Sequence, residues 1–306
     1  MIEPCDVLTL GESMAVLYPP QAIGLEAAAR VELDVAGAEG NLAIALARLG
    51  LRARLVARVG DDPFGRRLRA TYAAEGVLTD GLLTDTAAAT GVFFREWLAD
   101  GARRVYYYRR GSAGARLAAT DLRPEWFANA RALHLTGITP ALSVSCAATC
   151  AAAIDMARAH GLLVSFDPNY RAPLWDVATA RATLLPLMAR CDVLLVGDEE
   201  GRMVFETADD DATLAAAAAL GPRVVVLKRG AQGAWGVADG VRAEVAAVPV
   251  VAVDPVGAGD GFDAGFLAAW LRGDGLAAAL RLGARIGAAA VAQMGDYAGY
   301  PRLRVW

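Results

Sequence analysis

Short strand-like runs alternate with helical runs along most of this chain, and that alternation restricts the fold more than any other feature of the sequence. DVLTLGE precedes NLAIALARLG, and ARLVARVG precedes FGRRLRATYAAEG. RALHLTGI, LLVSFDPN and DVLLVGDEE are each followed by a helical stretch before RVVVLKRG is reached. Parallel neighbours need a crossover, and a crossover helix buries its apolar stripe on the sheet, so this order predicts an α/β fold with a mostly parallel sheet between helical layers. After Lys228 the pattern changes. GAWGVADGVRAEVAAVPV predicts an antiparallel hairpin turning at Asp239-Gly240, and two long alanine-rich helices follow.

Two segments, approximately 13–34 and 90–115, do not fit the alternation. The second holds GVFFREWL and RRVYYYRR on either side of Asp100-Gly101, a hairpin signal. Both predict a small accessory β-layer over one end of the sheet. No repeat, linker or low-complexity segment divides the chain, so residues 1–306 are expected to form one domain.

With 56% hydrophobic and 21% charged residues, the chain has material for a large core and too little charge for disorder. A net charge of -4 and the lack of any basic run argue against a nucleic-acid partner. The start, MIEPCDVLTLGE, has an acid and a proline where a signal peptide would have basic residues and an apolar core, and the most apolar stretches are too short to cross a bilayer. Cys5, Cys146, Cys150 and Cys191 show no disulfide spacing, and two histidines complete no zinc site. A cytoplasmic protein with a small-molecule partner and no membrane partner is expected.

The chemistry concentrates in VDPVGAGDGFDAGFLAAWL, from Val253 to Leu271, where a strand end meets a glycine-rich turn that opens into an apolar helix. Glycines there let the amides of Gly257, Ala258, Gly259 and Asp260 approach an anion, and the helix N-terminus adds a favourable dipole. Asp260 is a carboxylate among groups that favour negative charge. It can take a proton from an attacking hydroxyl while the amides stabilise a transferring phosphoryl group, or it can simply cap the helix. A dinucleotide fingerprint does not fit, since Phe262 stands where the third glycine belongs. No Walker A sequence surrounds Lys228, the sole lysine.

At this motif, from Asp254 through Asp260 to Gly265, the chain resembles the ribokinase-like sugar kinases of the PfkB family. AGAEGNLAIALARLG, from Ala36 to Gly50, is similar to the family's glycine-rich substrate motif. The resemblance runs from about residue 6 to the C-terminus. It implies a three-layer α/β/α sandwich with a small β-lid, ATP as donor and Mg²⁺ as counterion, and an accessory β-layer that serves as the lid. Within the family, GESM, AGAEGN, YYYRRGSAG, HLTGITPALS, SFDPNYRAPLW and KRGAQGA look most like 2-keto-3-deoxygluconate kinases. A kinase of another sugar acid or of a neutral sugar such as fructose or ribose is the alternative. A non-catalytic sugar or nucleotide sensor on the same scaffold is a third reading.

A sugar acid offers a carboxylate that guanidinium groups grip in bidentate fashion, and Arg109 and Arg171 lie in segments expected at the mouth of the sheet. Tyr107 and Arg109 are two apart on a predicted lid strand and so face the same side; a solvated edge strand is the alternative. Arg171 follows DPNY just beyond a strand, at the sheet end where ligands gather in open α/β folds. The resemblance assigns Asn169 to Arg171 to substrate binding, and a plain turn is the alternative. It likewise matches Gly37 and Asn41 to sugar-contacting positions and Asp296 to an acid that closes the substrate pocket. On the nucleotide side it matches Lys228, Gly230, Gly233 and Ala284, the last at a position often occupied by Asn. Glu200 matches a glutamate acting on Mg²⁺ through water, with Gly197 in place of the usual Asn. Lid strands in similar kinases often pair across a dimer, so a homo-oligomer is expected.

Overall fold

The computed structural model describes residues 2–98 and 100–302. Its strands, in chain order, are β1 (Val7–Leu10), β2 (Met14–Tyr18), β3 (Glu32–Ala36), β4 (Ala53–Gly60), β5 (Leu82–Asp85), β6 (Gly91–Trp97), β7 (Arg103–Tyr108), β8 (Ala132–Thr136), β9 (Leu163–Asp167), β10 (Val193–Gly197), β11 (Val224–Lys228), β12 (Ala234–Ala238) and β13 (Val241–Val245). Nine of them form one sheet in the order β13-β12-β11-β10-β9-β8-β1-β4-β5. All neighbours are parallel except at one edge, where β12 pairs antiparallel with β11 on one side and, through the expected turn, with β13 on the other. Asp239 and Gly240 there both have positive φ, 47° and 80°, as the tight hairpin turn requires.

Alternate strand residues feed two cores. Val193, Leu195, Val224 and Val226 pack with the helices Ala38–Arg48, Ala258–Arg272 and Leu276–Val291 on one face. Leu194, Val196, Val225 and Leu227 pack with Val144–Ala159 and Val177–Met188 on the other. Strands buried on both faces explain why runs such as VLLV and VVVL carry no polar alternation. The result is the expected three-layer α/β/α arrangement. Cys146 and Cys150 are buried in helix packing, and all four cysteines are free.

From β1 the chain winds outward through β4 and β5, then returns to β8 on the other side of β1. That reversal is a switch point, and the carboxyl ends of β1, β8, β9, β10 and β11 open towards one crevice. The segments that broke the alternation supply a second, four-stranded sheet in the order β3-β2-β6-β7, held by Met14, Val16, Tyr18, Phe93 and Trp97. Phe93, Arg95, Val105 and Tyr107 of this sheet form one wall of the crevice.

Candidate active site

Two cavities adjoin at the carboxyl end of the main sheet. The first, about 580 Å³, lies under the second sheet, and Gly37, Asn41, Tyr107, Arg109, Asn169, Arg171, Glu200, Asp260 and Asp296 all line it. The second, about 550 Å³, is more apolar in its lining and takes in Gly230, Gly233, Ala258 and Ala284 together with Val248, Val250 and Phe262. Lys228, Pro255 and Gly259 border both, so the cavities meet at the glycine-rich turn.

That turn is fixed by backbone contact. Gly257 has φ 77°, and a Cβ on it would lie 1.9 Å from the carbonyl oxygen of Asp296, so neither another backbone conformation nor a side chain fits. The helix Ala258–Arg272 begins immediately afterwards, with Gly257 at its N-cap and no side-chain cap. Asp260 is therefore a first-turn residue and not the cap, which removes the capping alternative. One expectation about the amides is corrected. The Ala258 amide donates to the Pro255 carbonyl at 3.2 Å and that of Gly261 to the Gly257 carbonyl at 2.8 Å. Of the expected donors at this helix start, the amides of Gly257, Gly259 and Asp260 make no hydrogen bond among the described residues.

The helices Ala38–Arg48 and Ala258–Arg272 pack together, and their first turns meet at the first cavity. The Asn41 side chain donates to Asp260 Oδ2 at 2.8 Å, so Asn41 orients the carboxylate instead of capping its own helix. Burial pushes the Asp260 carboxyl up to about 6, Asp167 adds to the rise, and Asn41, Arg171 and Lys228 oppose it. A carboxylate in that range is ionised at neutral pH and still basic enough to accept a proton.

On the opposite wall Arg109 is buried, forms an ion pair with Glu12, and lies 5.3 Å from the ring centre of Tyr107. Ser112 donates to the same Glu12 at 2.5 Å. Arg171 is exposed at the rim of the same cavity. Asp296 is buried, its carboxyl pushed up to about 7 chiefly by burial, and lies 3.1 Å from Arg95. Glu39, also pushed to about 7 by burial, accepts from Thr136 and Thr139 at 2.7 and 2.8 Å.

Lys228, matched to the nucleotide side, borders both cavities. Its Nζ donates to Asp167 at 2.7 Å and to Asp263 at 3.1 and 3.2 Å, so one cation serves two buried carboxylates between the cavities. Glu200 bridges two loops by accepting from the amides of Gly197 and Tyr170 at 2.7 and 2.8 Å, which holds Asn169, at φ 40°, and Arg171 at the rim. Burial pushes its carboxyl up to about 7. Among the described residues no group of three or more His, Cys, Asp or Glu could hold a metal.

Glu12, Glu39, Arg95, Asp167 and Asp263 were not singled out from the sequence, yet they face or underlie the first cavity. Arg95 left a signal: Phe93, Arg95 and Trp97 alternate on β6, which places an arginine on the buried face of a strand.

A fold of this topology, with a glycine-rich anion turn between two cavities and a carboxylate in its first helical turn, defines a kinase of small hydroxyl compounds. The chain belongs to the pfkB family of carbohydrate kinases, whose model matches residues 5–303, and it is a phosphotransferase acting on a sugar hydroxyl. It is 34% identical to a 2-dehydro-3-deoxygluconokinase of Thermoproteus tenax, over 97% of this chain and 92% of that one. A fructokinase of Klebsiella pneumoniae is 37% identical over 76% of this chain and 75% of its own length. The crystal structure of a PfkB protein from Polaromonas sp. JS666 superposes with a TM-score of 0.89 at 38% identity, covering 97% of this chain and 99% of that one. That of a putative ribokinase II from E. coli in complex with ATP and Mg²⁺ gives 0.88 at 25% identity, covering 97% and 96%.

Proposed function

We propose that this kinase transfers the γ-phosphoryl group of ATP to the terminal hydroxyl of 2-keto-3-deoxygluconate, with Asp260 as general base. The observation that carries the reading is the place of Asp260. It faces the polar cavity, one residue beyond the glycine shared with the second cavity, at a helix start whose first amides are without hydrogen bonds among the described residues. Asp260 takes the hydroxyl proton as the oxygen bonds to phosphorus and ADP departs. The Gly257, Gly259 and Asp260 amides stabilise the charge that builds on the phosphoryl oxygens.

The second cavity suits a nucleotide base. Ala284, Gly287 and Ala288 present a low face of one helix opposite Val248 and Val250, and Gly230 and Gly233 bring backbone close. Mg²⁺ carried on phosphates needs only one or two protein carboxylates and keeps several waters, which is compatible with the absence of a resident metal cluster among the described residues. Glu200 would hold it through water, and the ion would neutralise phosphate charge. The second sheet, as the lid, would exclude water from the crevice.

Arg109 and Arg171 support a sugar acid as acceptor, because they set guanidinium groups on the same cavity as Asp260, with Asn169, Gly37 and Tyr107 beside them. A neutral ketose is the second reading, favoured by the likeness to a fructokinase. A coupled ADP-release assay across sugar acids and neutral sugars separates the two. The highest kcat/KM is expected with 2-keto-3-deoxygluconate, and a neutral ketose ahead of it would overturn the sugar-acid assignment. The outer strand β7, with Val105, Tyr106, Tyr107 and Tyr108 all exposed, supports pairing with a second copy. A solution mass equal to one chain would count against that pairing.

A further inference from the structure

Arg95 projects from β6 of the second sheet towards the two loops that bracket Asp260. It is buried, at 4% exposure, and its Nη1 lies 3.2 Å from Asp254 and 3.1 Å from Asp296. The guanidinium carbon is 4.7 Å from the ring centre of Tyr18 and 5.0 Å from that of Trp97, both in the second sheet. Among the described residues none of its three nitrogens makes a hydrogen bond of good geometry. This cation is held by charge and by ring faces alone, so its hold depends on where the two sheets stand relative to one another.

What it reaches is the frame of the anion turn. Asp254 opens the turn, is fully buried, and accepts from the amides of Val256 and Gly295, each at 3.2 Å. It thereby ties the turn to the loop that carries Asp296, where the Asp296 carbonyl fills the space beside Gly257. One cation therefore balances two buried carboxylates that would otherwise face each other uncompensated, and buried charges keep their place only when paired. Tyr297 ties the same loop to the second sheet, its hydroxyl donating to Asp34 at 2.9 Å.

We propose that Arg95 is a positioning residue for phosphoryl transfer: seated with the second sheet, it latches Asp254 and Asp296 and so fixes the Gly257 to Asp260 turn in its working geometry. With the sheet displaced, the two carboxylates lose their counter-charge and the turn relaxes, so phosphoryl transfer waits on closure over the sugar. The proposal rests on the reading of Asp260 and its turn as the reacting centre.

The test is steady-state kinetics of the full chain, with ATP and its best sugar substrate, for Arg95→Met, Arg95→Lys and, in parallel, Asp260→Asn. For Arg95→Met, kcat is expected to fall about 100-fold, the loss typical of a small misplacement of reacting groups, with both KM values within about 3-fold. Arg95→Lys, which keeps the charge, should recover at least about 10-fold of that loss. Should Arg95→Met fail to fold, the Arg95→Met/Asp254→Asn variant removes the cation together with one of its carboxylates and is judged by the same kcat. Wild-type kcat in either variant overturns the latch, as does a loss confined to the sugar KM, which would make Arg95 a binding group. An Arg95→Lys variant no better than Arg95→Met overturns it too. A flat Arg95 series beside an inactive Asp260→Asn removes the latch alone, whereas a low Arg95 series beside an active Asp260→Asn removes the base.

Discussion

Asn41 and Asp260 stand 219 residues apart in sequence, and the side-chain amide of Asn41 donates to Asp260 Oδ2 at 2.8 Å. The bond favours the ionised carboxylate and works against the burial that pushes Asp260 up to about 6. Without it the carboxyl must rise further. In Asn41→Ala the acid limb of kcat/KM is expected to move to higher pH by about one unit, since a hydrogen bond to a charged group contributes about 1.5–3 kcal/mol. A pH–rate profile of the two proteins checks it, and an unmoved limb would separate Asn41 from the ionisation of Asp260.

Arg171 offers the cleaner of two tests of acceptor recognition. It is exposed, so Arg171→Ala should leave stability within about 0.5 kcal/mol while raising the KM for a sugar acid about 10-fold or more. Arg109→Met has a mixed expectation. It strands the buried carboxylate of Glu12, which costs about 3–5 kcal/mol of stability in addition to any loss of substrate. Thermal melts beside Michaelis curves distinguish the two variants, and equal losses in both measurements would contradict the account.

Two glycines of the turn should respond to alanine in opposite ways in stability, though both lose activity. Gly257→Ala meets the Asp296 carbonyl at 1.9 Å and holds φ at 77°, so it should destabilise the fold and abolish turnover. At Gly259, a helical position, an added Cβ meets only Lys228 Nζ at 3.7 Å, an ordinary contact. Gly259→Ala should gain up to about 1 kcal/mol of stability from helix propensity and yet lose activity, because the methyl enters the junction of the two cavities. Calorimetry with parallel rate measurements reads both effects.

The parallel core and the segments of the second sheet were legible because each depends on local pattern: hydrophobic period, turn residues, and an interruption of the alternation. The glycine-rich turn was legible for the same reason, as Gly257, Gly259 and Asp260 are neighbours in sequence. What was not legible is pairing across elements. Lys228 was placed on the nucleotide side from its turn, and only folding shows its pairing with Asp167 from β9 and Asp263 from a late helix. The amide of Ala258 belonged with its neighbours on pattern alone, yet the turn gives it the Pro255 carbonyl. Glu12 and Arg109 are both ordinary surface types whose mutual burial depends on how β1 and the second sheet meet.

The raised carboxyls also predict that stability and activity oppose each other in pH. Burial pushes Asp260 to about 6 and Glu39, Glu200 and Asp296 to about 7, from ordinary values of 3.8 for Asp and 4.5 for Glu. Between the unfolded and folded values the folded protein holds more protons, so stability falls as pH rises through that window. His134, depressed to about 4 by burial, acts in the opposite sense but is one group against four. Depressed carboxyls such as Asp62 and Asp85 lose their contribution only below the ordinary aspartate value. The Tm should therefore be higher near about pH 5.5 than near about pH 8, while turnover rises over the same range as Asp260 ionises. A Tm that climbs towards pH 8 would contradict these assignments.

The most direct test of the account is the turnover of Asp260→Asn, which keeps the size of the side chain and removes its ability to take a proton. With nucleotide binding followed separately by calorimetry, kcat is expected to fall by about 100-fold to 10,000-fold while ADP affinity changes little. Turnover close to that of the unaltered chain would contradict the assignment of Asp260 as base.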